Sequence, residues 1–343
     1  MKVLMTTDAV GGIWAYADEL RAQLAAEDVE VTMAAIGPVA PPDAHLPHRP
    51  GRLEWQADPW DDLAATGEWL LALAEAQAPD LVHLNSFSLA TLPWPCPTVV
   101  VGHSCVASWH EGVRGAPPGP EWDGYAARVR AGLLAADRVV APTAAMGAAL
   151  RRLYGLDRPV EVIHNGISPA AAASGERAPA VLAAGRLWDE AKGLDVLDAA
   201  AARTAWPVEV AGPAEGAAAR HARLLGVLSR GALRARMARA AIFAHAARYE
   251  PFGLVVAEAA AAGCALVLGA IPSLRELWDG AAIFVAPGDA GALAAALDRV
   301  AHDDALRERL ATAARERAAR YDAATMARGY LRLYATLRTE VAA

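Results

Sequence analysis

Short apolar, often β-branched runs alternate along this chain with longer Ala- and Leu-rich stretches of helical period. The runs Lys2–Thr7, Glu30–Ile36, Asp80–Leu84, Thr98–Gly102, Arg138–Ala141 and Val160–Ile163 are predicted strands. Between several of them lie predicted helices over Ile13–Glu27, Trp60–Gln77, Glu121–Ala135 and Thr143–Tyr154. Strands that are apolar on both faces and separated by helices imply parallel sheets covered on each side.

A segment rich in Ala, Ser, Gly and Pro, Ser168–Pro179, reads as a linker. A second series follows it. Strands are expected at Val181–Ala184, Val208–Ala211, Ala241–Ala244, Ala265–Leu268 and Ala282–Val285. Helices are expected at Gly193–Arg203, Arg230–Arg239, Leu254–Ala262, Ala290–His302 and Ala305–Arg320, with a last one near Ala323–Arg338. The expected organisation is therefore α/β, with two doubly wound parallel-sheet domains (1–166 and 167–320) and a C-terminal helical segment (321–343). Two such sheets offer their strand ends to ligands, so an interdomain cleft is the expected binding place.

Composition narrows the class. The 343 residues are 55% hydrophobic and 21% charged, which supports sizeable cores and excludes a disordered chain. A net charge of −7 argues against a clamp on nucleic-acid phosphates. Three cysteines (Cys96, Cys105, Cys264) with no C-x-x-C suggest a reducing compartment, the cytoplasm. The longest uncharged apolar run, 259–271, spans 13 residues and is too short to cross a bilayer. Residues 1–7 are likewise too short for a signal-peptide core. No basic amphipathic helix stands out, although peripheral membrane contact stays open.

Three segments carry candidate chemistry. The first, Thr7-Asp8-Ala9-Val10-Gly11-Gly12, joins a strand to a helix. Its glycines either form a tight turn or let an anionic ligand approach the helix N-terminus. The second, Gly185-Arg186-Leu187-Trp188-Asp189-Glu190-Ala191-Lys192-Gly193, follows the first strand of the second series. Arg186 and Lys192 are either solvated surface cations or a clamp on one polyanion. Of 32 basic residues only Lys2 and Lys192 are lysine, so retention of Lys192 favours a site where arginine does not serve.

The third segment is Arg248-Tyr249-Glu250-Pro251-Phe252-Gly253-Leu254-Val255-Val256-Ala257-Glu258. Glu250 precedes a Pro-Phe-Gly turn, and the N–H groups of Phe252, Gly253 and Leu254 stand at a helix start, where phosphate or sugar oxygens can be held. Glu258 lies about one turn into that helix amid Val and Ala. It either interacts with the helix dipole or binds adjacent hydroxyls, and buried without a partner it would be costly.

Gly-Arg-Leu-x5-Lys-Gly together with Glu-Pro-Phe-Gly-Leu-x3-Glu resembles the retaining nucleotide-sugar glycosyltransferases of family 4, which have the GT-B fold. The resemblance spans nearly the whole chain, including Asp80-Leu81-Val82-His83, Val162-Ile163-His164-Asn165-Gly166 and Ala262-Gly263-Cys264. It implies that Arg186 and Lys192 hold a donor diphosphate and that Glu258 binds ribose hydroxyls. Glu250 and the N–H groups of Phe252 to Leu254 would hold the transferred sugar. Gly11 and Gly12 would face the diphosphate and acceptor, and His103 would lie beside the reacting sugar. The last helix would pack back on the first domain, as in the GT-B pattern. His83 matches a family position too, but it reads as structural. The chain departs from the family at His103-Ser104, where His-Asp is frequent, and at Ala246-Ala247, where Pro-Ser is common.

No two aspartates stand at i, i+2, so no Asp-x-Asp metal motif is present. No metal or other cofactor is expected, because two cations and a helix N-terminus can stabilise a diphosphate leaving group. The acceptor, a hydroxyl compound of unknown identity, is expected on the first domain. Trp109 and Glu111 lie there in a Gly/Pro-rich connection, Ser104–Tyr125, and Pro38–Gly51 is a second candidate loop. Three rival readings remain: a dinucleotide oxidoreductase, disfavoured by the missing G-x-G-x-x-G, a GT-B sugar-nucleotide epimerase or hydrolase, and a non-catalytic nucleotide-sugar-binding protein.

Overall fold

The computed structural model describes residues 1–168 and 177–342 and resolves two compact units. One comprises Met1–Gly166 with the C-terminal segment from Ala323, and the other is Ile167–Asp322. Most of the Pro- and Ala-rich linker, residues 169–176, lies outside the described residues.

The first unit runs β1 (Lys2–Thr7), α1 (Gly12–Ala25), β2 (Glu30–Ile36), β3 (His48–Arg49), α2 (Trp60–Gln77), β4 (Leu81–Leu84), β5 (Thr98–Val101), α3 (Val106–Arg114), α4 (Asp123–Ala135), β6 (Arg138–Ala141), α5 (Ala144–Tyr154) and β7 (Glu161–Val162). All neighbouring strands pair in parallel, in the order β3-β2-β1-β4-β5-β6-β7. After Lys2 every residue of β1 is buried, as a strand covered on both faces requires. Leu4, Val82, Val100 and Val139 meet Leu70, Leu133 and Leu150 in the core.

The second unit runs β8 (Ala178–Ala184), α6 (Leu194–Ala201), β9 (Val208–Ala211), β10 (Arg223–Gly226), α7 (Arg230–Arg239), β11 (Ala240–His245), α8 (Leu254–Ala261), β12 (Ala265–Gly269), α9 (Pro272–Trp278), β13 (Ala282–Val285), α10 (Ala290–His302) and α11 (Asp304–Ala318). Its six parallel strands are ordered β10-β9-β8-β11-β12-β13. Alternate residues feed two cores, Val181, Ala183, Ile242 and Ala244 on one face and Leu182, Ala184 and Phe243 on the other. The last helix, α12 (Ala323–Ala342), belongs to the first unit and packs against α1, with Tyr330 and Tyr334 buried.

Two expectations need correction. Ser104–Tyr125 is not an irregular connection, since α3 occupies its centre. Cys105 and Ser108 form a reciprocal capping box at its start, and left-handed Gly115 (φ +67°) ends it. The Pro38–Gly51 loop likewise contains β3, which pairs with β2 at Ala35 and Ile36. β10 and α9 were absent from the predicted elements. β10 is a partly exposed edge strand without a two-sided apolar run, and α9 starts on a proline that reads as a break until it is seen at the first helical position. Among the described residues no helix is long and apolar enough to cross a membrane.

Candidate functional site

In each sheet the strand order reverses once, between β1 and β4 in the first unit and between β8 and β11 in the second. Such switch points, at the carboxyl ends of the strands, are where open α/β sheets bind ligands. Of the residues singled out in the sequence, Gly11 and Gly12 follow β1, Arg186 and Lys192 follow β8, and Glu250 to Glu258 follow β11, whereas His103, Trp109 and Glu111 follow β5.

In the second unit β8 exits into the segment carrying Arg186 and Lys192, and β11 exits into the segment carrying Glu250. Glycines let these loops touch. A Cβ at Gly193 (φ +65°) would lie 2.4 Å from the Ala246 carbonyl oxygen, and one at Gly212 (φ +140°), after β9, 1.8 Å from that of Gly185. The Arg248 N–H donates to the Ala191 carbonyl (2.8 Å), tying the two loops together.

That contact brings Lys192 to Glu250. Lys192 Nζ donates to Glu250 Oε2 at 2.9 Å, and His245 Nε2 lies 3.2 Å from the same oxygen. The Lys192 and Glu250 side chains are only 12% and 15% exposed. Burial by itself raises the Glu250 pKa, but the Lys192 ammonium and the His245 hydrogen bond outweigh it and hold the carboxyl well below the usual range. The ionised carboxylate can only accept, so His245 Nε2 carries the proton. Oε1 of Glu250 has no protein partner among the described residues.

Arg186 turns to its own loop. Its Nη2 donates to Asp189 Oδ2 at 3.2 Å, and its guanidinium stands 5.5 Å from the centre of the half-exposed Trp188 ring. Phe252 is buried edge-on against Tyr321, Gly253 (φ +83°) caps α8, and Leu254 opens that helix. Glu258 sits one turn further, and the partner that its environment demanded comes from α7. Arg234 Nη2 (3.2 Å) and Arg230 Nε (3.5 Å), one helical turn apart, both reach Oε1.

In the first unit Gly11 caps α1 in an extended conformation (φ −164°), and neither Gly11 nor Gly12 has positive φ, so the tight-turn reading of these glycines fails. The Val10 N–H donates to Asp8 Oδ1. His103 follows β5. Its Nε2 donates to Asn85 Oδ1 (2.8 Å), and Asn85 is oriented by donating its own amide N–H to the Thr6 carbonyl (2.6 Å). This leaves the His103 Nδ1 lone pair as acceptor. Burial pushes the His103 pKa down to about 3, so the ring is neutral at pH 7. His83 is fully buried between Tyr16 Oη (3.2 Å) and Tyr334 Oη (2.6 Å). Trp109 and Glu111 lie on α3. Both Glu111 oxygens are engaged by Arg152 of α5 (2.7 and 2.6 Å), and Trp109 packs edge-on against His110.

Sequence reasoning missed His245, Asn85, Asp189 and the α7 arginines. His245 ends β11 just beyond the predicted strand, and Asn85 directly follows β4 at the switch point, so strand-end position was the available signal. Nothing in the sequence pairs α7 with Glu258, because helix packing brings them together. Among the described residues no group of three or more His, Cys, Asp or Glu side chains is arranged to hold a metal ion.

Family models match the chain in tandem, "Glycosyltransferase Family 4" over residues 10–171 and "Glycosyl transferases group 1" over residues 169–317. A phosphatidyl-myo-inositol mannosyltransferase of Mycobacterium leprae is 40% identical over 92 residues, 26% of this chain and 25% of that protein. A glycogen synthase of Mycobacterium tuberculosis is 42% identical over 100 residues, 29% of this chain and 24% of that protein. The matched stretch thus spans about a quarter of those curated relatives. Sucrose-phosphate synthase from Thermosynechococcus elongatus superposes with TM-score 0.81 at 20% identity, over 99% of this chain and 100% of that one. Anabaena HepE in complex with UDP-glucose gives 0.75 at 18% identity, over 98% and 100%. WaaG, a glycosyltransferase involved in lipopolysaccharide biosynthesis, gives 0.70 at 17%, over 96% and 98%. The sheets are those of the GT-B fold, and the chain belongs to glycosyltransferase family 4.

Proposed function

We propose that this chain transfers a sugar from a nucleoside-diphosphate sugar to a hydroxyl acceptor, with retention at the anomeric carbon. The observation that carries the reading is the Lys192–Glu250 contact at the second switch point, where residues 58 apart in sequence meet at 2.9 Å. A buried cation beside a buried, ionised acceptor suits a ligand that is anionic at one end and hydroxylated at the other. The complexes of Anabaena HepE with UDP-glucose, and with UDP and glucose, support a ligand of that class.

In this reading Arg186 and Lys192 stabilise charge growing on the leaving diphosphate. The free Oε1 of Glu250 accepts hydroxyls of the transferred sugar. Gly253 and Leu254 supply N–H groups at the start of α8. Glu258, held by Arg230 and Arg234, anchors the ribose through Oε2. Gly11 and Gly12 face the diphosphate and the acceptor, His103 lies beside the reacting sugar, and Trp109 and Glu111 are assigned to the acceptor side. The bond from C1 to the diphosphate oxygen breaks as the acceptor oxygen bonds to C1 on the same face, and the acceptor proton passes to the departing phosphate oxygen. Two cations and a helix N-terminus supply the positive charge, so activity should survive chelation of divalent metals. The free thiols Cys96, Cys105 and Cys264 support a cytoplasmic setting.

A thermal-shift screen over nucleoside diphosphates and nucleotide sugars tests this directly, because a ligand of the folded state raises Tm by mass action. With the donor and an acceptor in hand, the product should keep the donor's anomeric configuration. Lys192→Ala should lower kcat/KM at least about tenfold, since a lost charge-assisted contact is worth about 1.5–3 kcal/mol. Turnover within about threefold of wild type would contradict the assignment.

A further inference from the structure

We infer that Asp189 is a positioning residue that orients Arg186 with one carboxylate oxygen and caps the turn carrying Lys192 with the other. The inference rests on the proposed diphosphate role of Arg186 and Lys192 and goes beyond it, because it assigns the orientation of that site to a residue outside the pair. Asp189 is 7% exposed, in a loop whose other acid, Glu190, is open to solvent. Its two oxygens do different work. Oδ2 accepts from Arg186 Nη2 at 3.2 Å, and Oδ1 accepts from the Ala191 N–H at 3.0 Å.

The second bond caps the short 3-10 turn Glu190–Lys192. The Asp189 backbone reinforces both ends of the segment. Its N–H donates to the Arg186 carbonyl (3.1 Å), and its carbonyl accepts from the Lys192 N–H (2.9 Å). Four hydrogen bonds from one residue therefore fix the Arg186 guanidinium and the turn from which Lys192 reaches Glu250.

The arrangement leaves Arg186 poised. Asp189 holds one edge of the guanidinium and Trp188 stands against it, while the buried Nε has no hydrogen-bond partner among the described residues. A buried N–H of this kind costs free energy until an acceptor arrives. Asp189 keeps it oriented in the meantime, so the ligand does not have to order a flexible arginine. The chemical class it awaits is an oxyanion of a nucleoside diphosphate.

The decisive measurement compares diphosphate with monophosphate binding by calorimetry, using UDP, GDP and ADP and their monophosphates as probes. The wild type should prefer one diphosphate over its monophosphate, and Arg186→Ala should abolish that preference. Asp189→Asn keeps an oxygen for the Ala191 N–H but loses the charge facing Arg186. It should weaken diphosphate binding about tenfold, leave monophosphate binding unchanged, and have no further effect in the Arg186→Ala background. Full diphosphate preference in Asp189→Asn, alongside its loss in Arg186→Ala, overturns the inference and leaves the proposed function standing. A wild type that binds no diphosphate, or an Arg186→Ala variant that retains the preference, overturns both. A weakening of equal size in the Arg186→Ala background marks a merely structural aspartate and also overturns the inference. Asp189→Ser, which retains a capping oxygen, is read in the same way should the asparagine variant fail to fold.

Discussion

Oε2 of Glu250 receives two donors, from Lys192 and His245, and this single atom sets the electrostatics around it. The chain uses arginine for nearly all its basic residues, yet the position facing Glu250 is lysine. The stem of Lys192 lies against Gly185, where an added Cβ would come within 3.4 Å of Lys192 Cγ, and a compact ammonium on a slim chain suits that space. The pH dependence has a definite sign. The folded-state pKa of Glu250 is depressed, so its contribution to stability is present above the unfolded carboxylate value and is lost as pH falls toward the folded one. The Tm gap between wild type and Glu250→Gln should be widest near neutrality and close below about pH 4.3. An unchanged gap from pH 7 to pH 3, followed by calorimetry, would show that Lys192 and His245 do not hold the carboxylate ionised.

Among the elements, many were legible from the chain alone. β1, β2, β6, β9 and β13, with α2, α7 and α10, occupy their predicted spans. The elements that escaped notice lack a two-sided apolar run, as in the edge strands β3 and β10, or depend on end chemistry, as in the Cys105–Ser108 box of α3 and the leading proline of α9. Packing between elements can also reverse a local preference. Gly132 lies inside α4, where alanine would ordinarily favour the helix by about 1 kcal/mol. A Cβ there would stand 1.9 Å from the Phe87 carbonyl oxygen, at the turn preceding Ser88–Thr91. Gly132→Ala should therefore lower the unfolding free energy by about 2 kcal/mol or more, as urea titration would register. A neutral or stabilised variant would show that the α4 contact yields without cost.

At the scale of the molecule, the chain's last helix is bound to its first unit through polar groups as well as apolar ones. His83 on β4 lies between Tyr16 of α1 and Tyr334 of α12, residues 67 and 251 positions away. Burial, with His103 nearby, pushes the His83 pKa down to about 3. The unfolded chain takes up this proton near pH 6.5 and the folded one does not, so stability is lost as pH falls from about 6.5 toward 3. Denaturation at a series of pH values should give a steeper acid loss for wild type than for His83→Gln. Parallel slopes would mean that His83 is not held neutral by the fold.

Most of the strands and helices and the α/β class were written in the chain. They depend on local period, turn residues and short motifs, which act over a few positions. The family resemblance also lay in contiguous motifs, and so needed no coordinates. Which partners Lys192, Glu250 and Glu258 take was decided by tertiary structure alone, whereas Arg186 finds Asp189 only three positions away. Lys192 and His245 converge on Glu250 because β8 and β11 are neighbours in the sheet, and Arg230 and Arg234 reach Glu258 because α7 packs on α8. Electrostatic and hydrogen-bonding energies depend on distances of a few ångströms between residues far apart in sequence, and only the packed chain fixes those distances.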